Sequence, residues 1–277
     1  MPMAAHPPRP AHSTKHLALL RYPFRDLVFH LAQRDDGLTN GTALWLGAQC
    51  LSLYLADALR LKAPPARRLR AIELGSGIGL SALALCSMGW DVLATDLPDV
   101  ISAVLTSNVV RNASQLPGGS GTIQVRALDW TVPADQWVWG NGTFIGLPGG
   151  PGTERTELVE TLGPPFDLII SSDTLYAAEI VHPLFRTLHA LITLSAGHGC
   201  RSPPVYLAIE RRDPSLIDLA LADAVKLWGF AAERVPHKKV VKALDKGGVK
   251  WDKEDWEGVE IWRFTQKTSS SPVSANV

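Results

Sequence analysis

Three glycines at alternate positions, Gly75, Gly77 and Gly79, follow the apolar run Arg70–Leu74 and precede an Ala/Leu-rich stretch that reaches Met88. A backbone without Cβ atoms turns sharply there and lets a ligand come close. The helix start that follows offers unpaired N–H groups. Such a turn suits a nucleotide-bearing cofactor. Asp96 stands 21 residues beyond Gly75, after the run Val92–Thr95, where a carboxylate can accept hydrogen bonds from both hydroxyls of a ribose. The next run ends in Leu128-Asp129-Trp130, and a tryptophan at a strand tip beside a nucleoside pocket can cover an adenine face. Each feature also has a plain structural use: a turn without ligand, a cap for the helix that Pro98 begins, a core indole. Their order and spacing favour the nucleoside site.

A dinucleotide fingerprint would require a third glycine at position 80, where Leu80 stands. Instead, Glu73 lies two residues ahead of the first glycine and Ser76 lies inside the turn. This Glu-x-Gly-x-Gly-x-Gly arrangement resembles that of S-adenosylmethionine-dependent methyltransferases of the seven-strand type. The run Phe166–Ser171 continues into Ser172 and Asp173-Thr-Leu-Tyr176, which is similar to the Asp/Glu-x-x-Tyr/Phe mark of that group's lysine-methyltransferase branch. Upstream, Gly41-Thr-Ala-Leu-Trp45-Leu-Gly-Ala48 resembles the branch's amino-terminal tryptophan helix, and Asn108 falls where the branch often has asparagine. The likeness extends from about Asp35 to Phe264. It implies S-adenosyl-L-methionine as cofactor, with contacts from Trp45, Glu73, Gly75, Ser76, Gly77, Asp96, Trp130 and Ser172. It also implies catalytic roles for Asp173 and Tyr176, and a lysine of a protein as the methyl acceptor. The late stretch Tyr206–Arg212, with Val259–Trp262, is similar to a less-studied subgroup of protein methyltransferases.

Methyl transfer to an amine is an in-line displacement, so the protein chiefly aligns and desolvates the acceptor. A free lysine amine has a pKa of about 10.4, and only its neutral form can attack. A dry pocket facing a cationic sulfonium lowers that value through desolvation and like-charge repulsion. Asp173 is expected to orient the amine and Tyr176 to frame its channel. The plain alternatives are a helix cap for Asp173 and packing for Tyr176. Two rival functions stand beside the lysine reading: methylation of a small molecule or RNA, and a cofactor-binding interaction protein whose catalysis has decayed. The segment lacks the paired prolines typical of adenine amino-methylating enzymes.

The elements that must hold these residues read as an α/β domain with a Rossmann-like seven-stranded methyltransferase sheet, mostly parallel, its last strand antiparallel, with helices on both faces. Expected strands are Arg70–Leu74, Val92–Thr95, Ile123–Leu128, Phe166–Ser171, Val205–Ile209, Ala231–Val240 and Val259–Phe264. Expected helices are Ala43–Leu59, Gly79–Met88, Pro98–Arg111, Ile180–Leu194 and Pro214–Trp228. The last two strands form a hairpin whose Lys-rich connection, His237–Glu257, is solvated; an acidic partner is its lesser use. Residues 1–14, rich in Pro, Ala and His, form a loose lead-in to a single domain over 15–266, and 267–277 a flexible tail. The Gly/Pro-rich stretch Thr131–Pro165 reads as an irregular insertion, either a surface loop or a substrate-facing flap.

Composition narrows the classes. The 277 residues, 46% apolar and 19% charged, are globular in type. Lys plus Arg and Asp plus Glu number 27 each, so no whole-molecule field attracts phosphate and nucleic acid is not the expected partner. No apolar run reaches the ~20 residues that cross a bilayer, and no signal-peptide core is present. Cys50, Cys86 and Cys200 show no metal spacing, and no metal is expected. His182 and His189 share a helix face without a third ligand. A cytoplasmic or nuclear monomer with a protein substrate is the expectation.

Overall fold

The computed structural model describes residues 7–34, 40–59, 67–148, 160–197 and 202–266. A short hairpin comes first, β1 (Leu19–Phe24) against β2 (Leu27–Ala32). Helix α1 (Leu46–Ala58) leads to β3 (Arg70–Leu74), and α2 (Leu80–Ser87) to β4 (Asp91–Asp96). Then α3 (Pro98–Val100), a π turn (Ile101–Leu105) and α4 (Thr106–Ala113) run on without a break to precede β5 (Ile123–Leu128). The chain continues through β6 (Phe144–Gly146), β7 (Leu168–Ser172), α5 (Ala178–Ala196), β8 (Val205–Glu210), α6 (Pro214–Lys226), β9 (Phe230–Arg234), α7 (His237–Lys246) and β10 (Val259–Gln266).

The main sheet has the order β6-β5-β4-β3-β7-β8-β10-β9. Pairs from β6 through β8 are parallel, and β10 runs antiparallel to both β8 and β9. Central strands are buried on both faces; Ile72 and Leu74 point to one layer of core, Ala71 to the other. That two-sided burial explains why they read as unbroken apolar runs. The chain leaves β3 toward β4 on one side and reaches β7 on the other. The crevice at the carboxyl ends of these strands is the usual ligand position in open α/β sheets.

Seven of the eight sheet strands match the expected ones, with the antiparallel last strand as read. The eighth, β6, comes from the insertion Thr131–Pro165, which is therefore not irregular throughout. Its 3₁₀ turn Ala134–Gln136 and β6 cover the β5 edge, with Ile145, Leu162 and Trp137 buried. The fully buried Arg126 of β5 gathers this cover by donating to the carbonyls of Trp139, Asn141 and Leu162. Residues 149–159 of the insertion lie outside the described residues.

Three further expectations are corrected. The strand Ala231–Val240 ends at Arg234, and the Lys-rich connection is no hairpin loop but begins with α7. Val240, Ala243 and Leu244 are buried there, while Lys246 pairs with Asp57 at 2.5 Å at the end of α1. Residues 7–14 of the expected lead-in are packed in place: Trp251 Nε1 donates to the Pro8 carbonyl at 2.6 Å, Gln49 Nε2 to that of Arg9 at 2.8 Å, and Ala11 and Thr14 are buried. Residues 1–6 and 267–277 lie outside the described residues, as does Cys200. The hairpin β1–β2 was not foreseen. Its alternation Leu20, Tyr22, Phe24 includes Pro23, a residue that argues against a strand, and its two-residue turn has Arg25 at φ 53 rather than the glycine or asparagine that marks such turns.

Candidate active site

The glycine turn is built by its neighbours as much as by its own sequence. Gly75, Gly77 and Gly79 all take positive φ, at 68, 54 and 87°. A Cβ on Gly75 would meet the Thr174 methyl at 2.8 Å, and one on Gly77 the Gly41 carbonyl at 3.0 Å. Glycine at 75 therefore lets the turn after β3 nest against the turn after β7. Ser76 N donates to the Thr95 carbonyl at 2.9 Å and Ser171 Oγ to that of Leu74 at 2.7 Å, which ties β4 and β7 to the same loop.

Asp96 closes the turn from the β4 side. Its Oδ2 accepts from Gly77 N at 2.7 Å and its Oδ1 from Leu97 N at 2.8 Å. Burial pushes its carboxyl up to about 6, partly offset by these two amides. Trp130 lies with its ring edge about the Gly75 position, 3.5 Å from where a Cβ would be. Its carbonyl and that of Thr131 accept from Arg186 Nη2 at 2.7 and 2.8 Å, so α5 clamps this corner. Among the described residues, the buried Nε1 of Trp130 and Oγ of Ser76 close no hydrogen bond of normal geometry.

Asp173 follows β7 in left-handed backbone, φ 55, a conformation of modest cost for Asp that clusters at functional sites. Asp173 N donates to the Ala208 carbonyl at 2.9 Å. Among the described residues, its two buried carboxylate oxygens close no hydrogen bond of normal geometry. Burial, then the nearby Glu210 charge, push the carboxyl up to about 6, with Arg212 and the Gly47 amide holding it down in part. Tyr176 stands at the rim, 55% exposed; desolvation raises its phenol, and a hydrogen bond with Asn40 opposes this.

These groups surround one cleft of about 560 Å³, within the usual size for a small-molecule site. Trp45, Gly75, Ser76, Gly77, Asp96, Trp130, Ser172, Asp173 and Tyr176 all line it. Glu73 does not, and its placement as a cofactor contact is corrected. Its side chain is buried behind the turn, near Ser76, Ser81 and the Ala82 amide, with the carboxyl pushed up to about 8 by burial. A residue two before the turn, on a strand whose neighbours alternate in direction, points into the layer beneath α2 instead.

Residues that sequence reasoning missed complete the walls: Asn40, Leu97, Val100, Ile180, Pro183 and Arg212. Apart from Arg212, which ends the late stretch Tyr206–Arg212, none carries a motif; they arrive through the segment before α1 and the folding of α3, α5 and the β8 tip. Asn108 contributes indirectly. Fully buried, it donates to the carbonyls of Ile78 and Ala32, each at 3.0 Å, and accepts from Ala32 N at 2.6 Å. One turn later, Asn112 repeats the exchange with His30. Two side chains thus take the place of a strand along β2, and pin the hairpin beside the glycine turn.

The cleft presents a glycine cradle, an acid for paired hydroxyls, an indole platform and buried polar atoms that close no hydrogen bond among the described residues, a set that fits a sulfonium nucleoside. Among the described residues no group of His, Cys, Asp and Glu could hold a metal ion, and no helix is long and apolar enough to cross a membrane.

Residues 27–141 match the family model described as lysine methyltransferase. Methyltransferase-like protein 22 of Mus musculus is 25% identical over 152 residues, 55% of this chain and 35% of that protein. The protein-lysine N-methyltransferase rrg1 of Schizosaccharomyces pombe is 30% identical over 152 residues, 53% of this chain and 42% of that one. The protein N-lysine methyltransferase METTL21A of Danio rerio is 25% identical over 229 residues, 82% and 89% of the two chains. The chain therefore spans less than half the length of the first two relatives. Through the segment 27–141 and along the chain beyond it, the protein is similar to lysine methyltransferases.

Proposed function

We propose that the protein is an S-adenosylmethionine-dependent protein-lysine N-methyltransferase. The observation that carries this reading is a single cleft in which the glycine turn and Asp96 stand on one side and Asp173 and Tyr176 on the other. The names of the relatives support lysine as the acceptor. A cytoplasmic or nuclear setting goes with this reading, since Cys50 and Cys86 are free, buried thiols.

Of the residues lining the cleft, the Gly75–Gly77 turn, Ser76, Asp96 and Trp130 would hold the nucleoside, with Trp45 and Ser172 beside its amino-acid end. The cofactor supplies an electrophilic methyl group on a sulfonium. The chain's own residues prepare the acceptor. Walls of Leu44, Val100, Ile180 and Pro183 exclude water, which disfavours the charged ammonium and leaves a lone pair on the amine. Asp173, largely ionised at neutral pH, accepts a hydrogen bond from that amine and aims it along the cleft axis. The open rim beside Tyr176 would let the proton that the methylated amine must lose pass to water. Alignment and desolvation together account for the catalysis.

Incubation with methyl-labelled cofactor and a whole-cell extract tests the reading, with Gly75→Arg as the inactive control. Label on protein lysines is the expected result. Label in RNA or metabolites alone would overturn the lysine assignment, and cofactor binding without transfer would overturn the enzymatic one.

A further inference from the structure

The strand tips divide the cleft into two halves. Asp129 and Trp130 follow β5, Asp96 ends β4 and the glycine turn follows β3, so the nucleoside half lies to one side of β3. Asp173 and Tyr176 follow β7, and Arg212 follows β8. Strands lie about 4.8 Å apart, which places the β8 tip about two strand spacings from the glycine turn, on the acceptor side.

Two arginines leave the β8 tip together and are used differently. Arg211 is neutralised twice, by Asp218 at 2.8 Å and by the buried Glu260 at 2.7 Å. Arg212 lines the cleft, its side chain 49% exposed, and its guanidinium lies 4.3 Å from the centre of the Trp45 ring. Its Nη2 is ion-paired with Glu210 and its charge also acts on Asp173, while Nη1 and Nε close no hydrogen bond among the described residues. Lys15 places a second cation on Trp45, Nζ 3.4 Å from the ring centre. An indole with cations against it braces the planar guanidinium, which keeps further donors for a planar carboxylate. The chain as a whole has no net charge, so any charge selection at the mouth must be local.

We infer that Arg212, braced on Trp45, reads an acidic side chain beside the acceptor lysine, so that the substrates are proteins whose target lysine stands next to Asp or Glu. This rests on the lysine-methyltransferase reading above. The preference is local to Arg212, since Asp96, Asp99, Asp129 and Asp173 also line the cleft: a second basic residue placed against the guanidinium is opposed, and an acidic one supplies its counter-charge.

The test maps lysine label by mass spectrometry in native extract treated with deuteromethyl cofactor and wild type, Arg212→Lys or Arg212→Glu enzyme. Binding of S-adenosylhomocysteine to each is measured by calorimetry. The expected result is label concentrated at lysines with Asp or Glu close by, lowered about threefold by Arg212→Lys, which keeps the charge without the planar fork, and about tenfold by Arg212→Glu. S-adenosylhomocysteine affinity should stay within about threefold of wild type in all three. Lysine label without an acidic neighbourhood, or unchanged by Arg212→Glu, would overturn the inference alone. A matched loss of S-adenosylhomocysteine affinity would do the same, by assigning Arg212 to the cofactor's carboxylate. No lysine label in any arm would overturn the functional reading, and the inference with it.

Discussion

The Asp173 carboxylate lies against the backbone of Gly47: a Cβ on Gly47 would stand 2.5 Å from Oδ2 and 2.7 Å from Oδ1. Gly47 is the second residue of α1, whose N-cap, Trp45, supplies no side-chain cap. The carboxylate therefore faces the positive end of a helix with unpaired amides, and the helix that follows Trp45 is seated on the acid that follows β7. One contact couples both halves of the cleft.

Gly47→Ala should destabilise the protein by about 1–3 kcal/mol, as overpacking does. In an Asp173→Ala background, where the carboxylate is gone, that penalty should vanish. A double-mutant cycle read by urea unfolding decides it; additive losses would place the clash elsewhere.

Asp173→Ala should leave cofactor affinity intact while turnover falls by about 100-fold or more, the usual scale for a positioned acid or base. The working form is the carboxylate, so kcat/KM for the acceptor should fall as pH drops through about 6. Asp173→Asn should be slow and lack that limb. Asp96 titrates in the same region, but its protonation should appear as a rise in the cofactor KM, which separates the two. A limb that survives Asp173→Asn at constant cofactor saturation would assign it to another group.

Glu73 should make stability depend on pH in the sense opposite to an ion-paired acid. Its carboxyl is raised from 4.5 to about 8 in the fold, so the folded state holds a proton that the unfolded chain releases. The resulting stability is full below 4.5 and is lost as pH rises to about 8. Relative to Glu73→Gln, the unfolding free energy should fall by up to about 1.4 kcal/mol per pH unit across that window, then level off. A difference flat with pH would show that Glu73 is charged in the fold.

Asn108→Ala removes three hydrogen bonds at once and leaves the Ala32 and Ile78 groups to find other partners. A loss of about 2–4 kcal/mol is expected, with faster hydrogen exchange at Ala32 N. Because Ile78 belongs to the glycine turn, cofactor affinity should weaken as well. Unchanged exchange at Ala32 would mean that the hairpin is held by its apolar face alone.

The glycine turn, Asp96, Trp130 and the segment Ser172–Tyr176 were readable in one dimension because each depends on local chemistry: φ, strand ends, and acids or rings at fixed spacing. The parallel strands were readable because two-sided burial writes an apolar run. Tertiary structure alone decided the rest. It sent the Glu73 side chain behind the turn, brought Gly47 from 126 residues away in sequence against Asp173, and set Arg212 against Trp45. It also let Asn108 and Asn112 stand in for a strand, and folded α7 where the lysines suggested a solvated loop. These relationships join residues distant in the chain through side-chain direction and packing, and neither is written in the spacing of residues along it.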